Sequence, residues 1–149
     1  MLCVFAGSAY MFEFFSLDLI GWTQAAELFP PGGVSGDDFG VSVDLSVSDS
    51  GSLAIVGSPA RRSFSLAAGV LLSCICVFLL SEASGDAFIY TLSSGLWTFQ
   101  AQLQGSDSST QNQFGTAVAI SNFTAIAGSP GENNGAGVTY FFHGREVGA

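Results

Sequence analysis

Few residues in this 149-residue chain carry reactive or ligating side chains. His143 is the single histidine. It ends an aromatic run beside Gly144, and no serine or cysteine motif accompanies it. That setting predicts a surface residue rather than a general base. Cys74 and Cys76 are close enough to share a metal, but they stand in an apolar run with no other ligand nearby, and Cys3 makes the count odd. Neither a metal site nor a disulfide framework is expected. The acid pair Asp37-Asp38 precedes Phe39, and the matching place later in the chain holds Asn112-Gln113. Turn chemistry is therefore expected there, not an acid–base dyad. No nucleophile elbow, phosphate loop or zinc motif is present. Asn122-Phe123-Thr124 is an acceptor sequence for N-glycosylation in what reads as an exposed hairpin. Asn122 is the one candidate site residue; no catalytic, cofactor-binding or metal-ligating residue and no cofactor is expected.

The elements that would position these residues come from a chain that says one thing twice. Phe39-Gly40 leads through a turn to Ala54-Ile55-Val56-Gly57-Ser58-Pro59, and Phe114-Gly115 leads to Ala125-Ile126-Ala127-Gly128-Ser129-Pro130. A Trp stands 17 residues before each Phe, as Trp22 and Trp97, with a Leu six positions after it, as Leu28 and Leu103. A Gly-led aromatic segment follows each unit, at Gly85–Tyr90 and Gly137–Phe142, and a third copy of it stands at Gly7–Phe12. The chain thus reads as beginning inside a repeat. Self-similarity at such a period points to a solenoid, a propeller or an array.

Within each unit the pattern is that of strands. Val41, Val43 and Leu45 alternate with Ser42, Asp44 and Ser46, a period of two. Ser48-Asp49-Ser50-Gly51 and Ser121-Asn122 have hairpin-turn composition. Leu53–Val56 is almost wholly apolar and is expected to be buried on both faces. Pro30-Pro31-Gly32-Gly33 is a firm break. Four strand positions recur in order: the Phe-Gly strand, the Ala-Ile strand, the aromatic strand and the Trp strand. Four antiparallel strands per repeat is the content of a propeller blade, and one such sheet needs neighbours to cover its faces.

Composition agrees. There are 19 glycines and no lysine, and the net charge is −9, from 12 acids against Arg61, Arg62 and Arg145. That balance argues against nucleic acid as a partner. The apolar start, Met1–Tyr10, lacks a basic region, so it reads as the tail of a repeat rather than a signal peptide. One segment breaks the repeat. Between Pro59 and Gly85 there are 25 residues, against six between Pro130 and Gly137. Residues 64–80 carry no charge, and as a helix they would span about 25 Å, the lower edge of a membrane span. A span there would separate strands that the repeat pairs. The alternatives are an apolar insertion, expected as a helix at about 64–84, or sequence foreign to the mature message.

The register of Trp, Phe-Gly, Gly-Ser-Pro and the aromatic strand resembles the FG-GAP repeat of integrin α-subunit propellers and of other surface and secreted proteins. Ser58 and Ser129 stand where the family name has Ala. The resemblance implies an all-β fold: an incomplete β-propeller of about two four-stranded antiparallel blades and a portion of a third. It divides the chain into 1–21, the tail of a preceding blade; 22–96, a first repeat holding the insertion; 97–144, a second repeat; and the tail 145–149. Two blades do not close a seven-bladed ring, so a fragment or a partner-dependent chain is expected. Many members hold Ca²⁺ in the turn after the Phe-Gly strand, but Asp49 with Ser48, Ser50 and Ser52, and Ser121 with Asn122, do not match that acidic loop. Glu132-Asn133-Asn134 is expected as a solvated turn. The resemblance implies a non-enzymatic, extracellular or cell-surface role in recognition or adhesion of a protein or glycan. Its partners would be such a ligand, further blades or a second copy. The alternatives are the propeller portion of a secreted hydrolase or a chain with no independent function.

Overall fold

The computed structural model describes residues 7–15, 21–48, 51–61, 84–106, 109 and 111–144. The expected insertion lies almost wholly in residues 62–83, outside the described residues. Among the described residues nine strands form three antiparallel sheets. The first pairs β1 (Ala9–Phe15) with β2 (Gly21–Leu28). The second holds β3 (Ser42–Ser48), β4 (Gly51–Ser58), β5 (Asp86–Ser93) and β6 (Leu96–Leu103) in sequence order. The third holds β7 (Ala117–Ser121), β8 (Thr124–Ser129) and β9 (Val138–His143), with a single helical turn, α1 (Glu132–Gly135), between β8 and β9. Every neighbour in the second sheet is the next strand in the chain, a meander, as the fourfold pattern predicts. Sheets and sequence repeats are out of phase: the Trp22 strand closes the first sheet and the Trp97 strand closes the second.

The two halves of the repeated motif meet in space. Gly40 N–H donates to the Gly57 carbonyl at 3.0 Å, and Gly115 N–H donates to the Gly128 carbonyl at 3.0 Å. The serine of each Gly-Ser-Pro then holds the loop before the Phe: Ser58 Oγ donates to the Asp37 carbonyl at 2.8 Å, and Ser129 Oγ to the Asn112 carbonyl at 2.9 Å. These bonds turn each Phe inward. Phe39 packs with Ala9 and Leu28 of the first sheet and with Ala54, Val56, Phe88 and Tyr90 of the second. Phe114 packs with Ile55 and Ala87 of the second sheet and with Ile120, Ala125 and Ala127 of the third. Each Phe therefore seals one sheet to the next.

The seal leaves no space at the glycine that starts the aromatic strand. A Cβ on Gly85 would run into the carbonyl oxygen of Phe114, as one on Gly7 would into that of Phe39. Of Leu53–Val56, expected to be buried on both faces, Ala54, Ile55 and Val56 are buried and Leu53 is half-buried. The alternation in β3 has an unexpected sense. Its polar residues are half-buried, whereas Val41, Val43, Leu45 and Val47 are exposed. The polar side is the one turned to the third sheet, because Ser42 and Asp44 hydrogen-bond to that sheet's backbone.

The described residues on either side of 62–83 meet, because Gly85 N–H donates to the Arg61 carbonyl at 3.2 Å. β4 and β5 pair without interruption from Ser52↔Leu92 to Ser58↔Asp86. Among the described residues no helix is long and apolar enough to cross a membrane.

The glycine contacts set a measurable contrast. Gly85 and Gly95 both have positive φ, +82° and +78°, but only Gly85 is crowded. Gly95→Ala is expected to cost about 1 kcal/mol of backbone strain. Gly85→Ala is expected to cost about 3 kcal/mol or more, since backbone of the next sheet must move. Chemical denaturation of the two variants decides it; equal costs would show that the close approach contributes nothing.

Candidate functional site

Two regions gather the polar groups. The first is at the Phe-Gly end of the second sheet. β4 runs out through Pro59 to Arg61, and β5 begins at Asp86, so Arg61 and Asp86 are brought together with Asp37 of the loop before Phe39. Arg61 Nη1 lies 2.7 Å from Asp37 Oδ2 and its Nε lies 3.5 Å from Asp86 Oδ2. Its Nη2 donates to the Pro31 carbonyl at 2.8 Å, and the guanidinium sits 5.6 Å from the Phe88 ring centre. Asp37 Oδ2 also accepts from Val34 N–H at 2.9 Å. Gln102 and Gln104 donate to the two oxygens of Asp86 at 2.7 and 2.9 Å. Asp37 and Asp86 are fully buried, and Asp37 Oδ1 has no partner among the described residues. The expected turn at Asp37-Asp38 is present, with Asp38 exposed at φ +55°. What the sequence did not reveal is that Asp37 is one end of a buried ion pair.

The third sheet carries the same place with other chemistry. Asn112 stands for Asp37, Glu132 for Arg61, Val138 for Asp86 and Tyr140 for Phe88. The Tyr140 hydroxyl contacts the Glu132 carboxylate oxygens at 2.7 and 2.9 Å. Glu132 is buried. The solvated-turn expectation therefore holds for Asn133 and Asn134, which are exposed at φ +53° and +56°, and fails for Glu132. The reason is the aromatic beneath it: a ring face suits a guanidinium, a phenol suits a carboxylate. The two copies exchange their polar residues as matched sets.

The second region is a cleft of about 630 Å³ between the second and third sheets at the hairpin end, lined among others by Ser46, Leu53, Gln100, Asn122, Phe142 and His143. Asn122 and Phe123 form the turn between β7 and β8, with Asn122 exposed at φ +50°. Its side chain is free to face solvent while its N–H donates to Ser46 Oγ at 2.9 Å. His143 is exposed, as expected, and its Nδ1 lies 3.3 Å from Thr124 Oγ1. Asp49 and Ser50 of the first hairpin lie outside the described residues. Among the described residues no group of three or more His, Cys, Asp or Glu side chains is placed to hold a metal.

Burial pushes the Asp86 carboxyl above its ordinary value, and the Asp37 charge adds to the rise, against the pull of Gln104, Arg61 and Gln102. The folded chain then holds this proton to higher pH than the unfolded chain. The associated stability is fully present below the ordinary carboxylate range and is lost as pH rises through the raised value. Asp86→Asn is expected to gain stability relative to wild type between about pH 3 and about pH 7; a difference that is constant across the range, or shrinks, contradicts this. Removing the cation is expected to be costly. Arg61→Glu should lose about 3–5 kcal/mol, because two buried carboxylates lose their counter-charge. Carrying over the whole second set, as Asp37→Asn, Arg61→Glu, Asp86→Val and Phe88→Tyr together, should recover most of that loss in a urea titration. If the combined variant is no better than Arg61→Glu, the sets are not matched.

A family model for the FG-GAP repeat matches residues 22–69 and 97–142. No curated protein matches the chain. The matched stretches contain both clasps, Gly40 on Gly57 and Gly115 on Gly128. With its Phe-Gly loops wedged between successive antiparallel sheets and most of its length covered by the repeat, the chain belongs to the FG-GAP repeat family.

Proposed function

We propose that the chain is a non-catalytic recognition segment of β-propeller type, acting outside the cell or at its surface as integrin α-like repeats do. The cleft between the second and third sheets carries this reading. It is about 630 Å³, open at the hairpin end, and lined by both apolar and hydrogen-bonding groups, which is the character of a binding site. The buried acids support binding over catalysis, because Asp37 and Asp86 are taken up by Arg61, Gln102 and Gln104 at the other end of the sheet. Asn122, exposed at the rim, is accessible to glycosylation, which fits an extracellular setting. The reading does not include a membrane crossing by 64–80, since β4 and β5, which flank it, are paired along their length.

The chain secreted from cultured animal cells behind an added leader is expected to gain glycosidase-sensitive mass that Asn122→Gln removes. Coated on a surface, it is expected to retain cells above an uncoated control. Attachment equal to the control would overturn the adhesion reading, and an unmodified Asn122 in the secreted chain would remove its support from that residue.

A further inference from the structure

The cleft between the second and third sheets is lined by neutral groups. Among the described residues that line it there is no Asp, Glu, Lys or Arg, in a chain of net charge −9. Asp44 shares a face of β3 with Ser46, but its Oδ2 accepts from Ile120 N–H at 2.7 Å and it is not among those lining residues. Such a wall offers no counter-charge to a phosphate, a sulfate, a carboxylate or an ammonium group. It offers the hydroxyls of Ser46 and Thr91, the Gln100 amide and the His143 ring, beside apolar surface from Leu53 and Phe142.

Gln100 reaches this wall through an irregularity of the sheet. Neighbours in a regular strand point to opposite faces, yet Gln100 and Ala101 both line the cleft. β5 and β6 shift register here. Ile89 pairs with Ala101 and Tyr90 with Phe99, which leaves Gln100 as the extra residue of a β-bulge. Bulges re-aim side chains and are over-represented beside functional sites. The first sheet has the same bulge, with Ala25 as its extra residue, three positions after Trp22 as Gln100 is after Trp97. The scaffold supplies the bulge, and the second sheet uses it to present an amide where the first presents a methyl group. Among the described residues the Gln100 amide and the Thr91 hydroxyl have no hydrogen-bond partner. His143 is engaged through Nδ1, by Thr124 Oγ1 at 3.3 Å, which leaves its Nε2 over.

We propose that this cleft is a binding site for an uncharged carbohydrate, the end of a neutral glycan chain. Neighbouring hydroxyls of a pyranose ring both donate and accept, and the free Gln100 amide and Thr91 hydroxyl each offer a donor and an acceptor to them. The C–H faces of the same ring are apolar and suit Leu53 and the half-buried Phe142. A volume of about 630 Å³ lies inside the range of small-ligand sites, about 300–1,000 Å³. A peptide matches less well. It is held as an added strand by a row of free backbone groups, whereas the unengaged groups named here belong to side chains. The proposal rests on reading this cleft as the recognition site and adds the chemical class of what is recognised.

The full chain, produced without glycosylation so that Asn122 carries no sugar of its own, is applied to immobilised neutral oligosaccharides ending in mannose, galactose, fucose or N-acetylglucosamine, and to their sialylated and sulfated counterparts. Saturable binding to at least one neutral oligosaccharide is expected, with weaker binding to its charged counterparts. Gln100→Ala and Thr91→Val remove groups that have no partner in the fold, so melting should stay near wild type while each weakens that binding about tenfold, as the loss of one hydrogen bond does. Binding to none of the neutral oligosaccharides, binding to the charged ones alone, or binding that both variants leave unchanged overturns the proposal. The cell-attachment assay separates it from the adhesion reading. Attachment above control that neither Gln100→Ala nor an excess of the free neutral oligosaccharides reduces leaves adhesion standing, assigns it to a protein ligand and overturns the carbohydrate site. Binding to a neutral oligosaccharide that Gln100→Ala weakens, without cell attachment, supports the carbohydrate site and removes the adhesion role.

Discussion

Everything in this fold depends on the peptide between Phe114 and Gly115, and on its counterpart between Phe39 and Gly40, lying flush against the sheet before it. Bare backbone is needed on both sides. Gly57 and Gly85 of the second sheet have no room for a Cβ because the Gly115 and Phe114 carbonyl oxygens occupy the place. Ser42 Oγ then donates to the Gly115 oxygen, and Phe114 N–H donates to the Ser84 carbonyl at 2.9 Å. With the backbone so fixed, the Phe ring can only point into the gap between sheets. Burying a Phe stabilises by about 2–3 kcal/mol, but the gain requires that the sheets meet at this distance and angle. The glycines set the distance; the ring rewards it.

Around that contact the sheets combine apolar and polar joining. The apolar clusters supply most of the energy, while the Ser42, Asp44 and Ser46 bonds fix the register between neighbours. A charged acceptor on a backbone N–H, as Asp44 makes with Ile120, is worth about 1.5–3 kcal/mol. Losing it by a slip of one residue would also turn Val43 and Leu45 toward the third sheet and expose the acid. The odd alternation in β3 is the physical form of this choice. Hydrogen bonds face the third sheet and hydrocarbon faces the other way, so β3 carries unlike groups on its two sides.

The sequence disclosed the elements that local pattern controls. Two copies of Trp, Phe-Gly and Gly-Ser-Pro predicted the strands, their order and the meander, and Leu53–Val56 predicted a doubly buried strand. Asn122 as an exposed hairpin residue and His143 as a surface residue were also legible. The buried ion pairs were not, because Asp37, Arg61 and Asp86 are brought together only by the closing of the sheet. Two signals pointed to them in retrospect: an acid before Phe39 replaced by Asn before Phe114, and Arg61 replaced by Glu132 after the matching proline. Read as a pair, those changes are compensating; read singly, each looks like surface variation. The sense of the β3 alternation was hidden for a different reason. Period two reveals that a strand has two faces, and only the neighbouring sheet decides which one is covered.

The hydrogen bond from Gly85 N–H to the Arg61 carbonyl has a consequence for how the second sheet bears a long connection. It closes the β4–β5 connection at its neck, where β4 and β5 pair up to Ser58↔Asp86. Closure entropy grows only with the logarithm of length, and lengthening a connection here from six residues to 25 costs about 1 kcal/mol. Beside the crowded approach of Gly57 and Gly85 to the next sheet, this neck is a place where added length costs little. The register of β4 on β5 runs unbroken up to that neck, and the length of the connection is a separate, small term in stability.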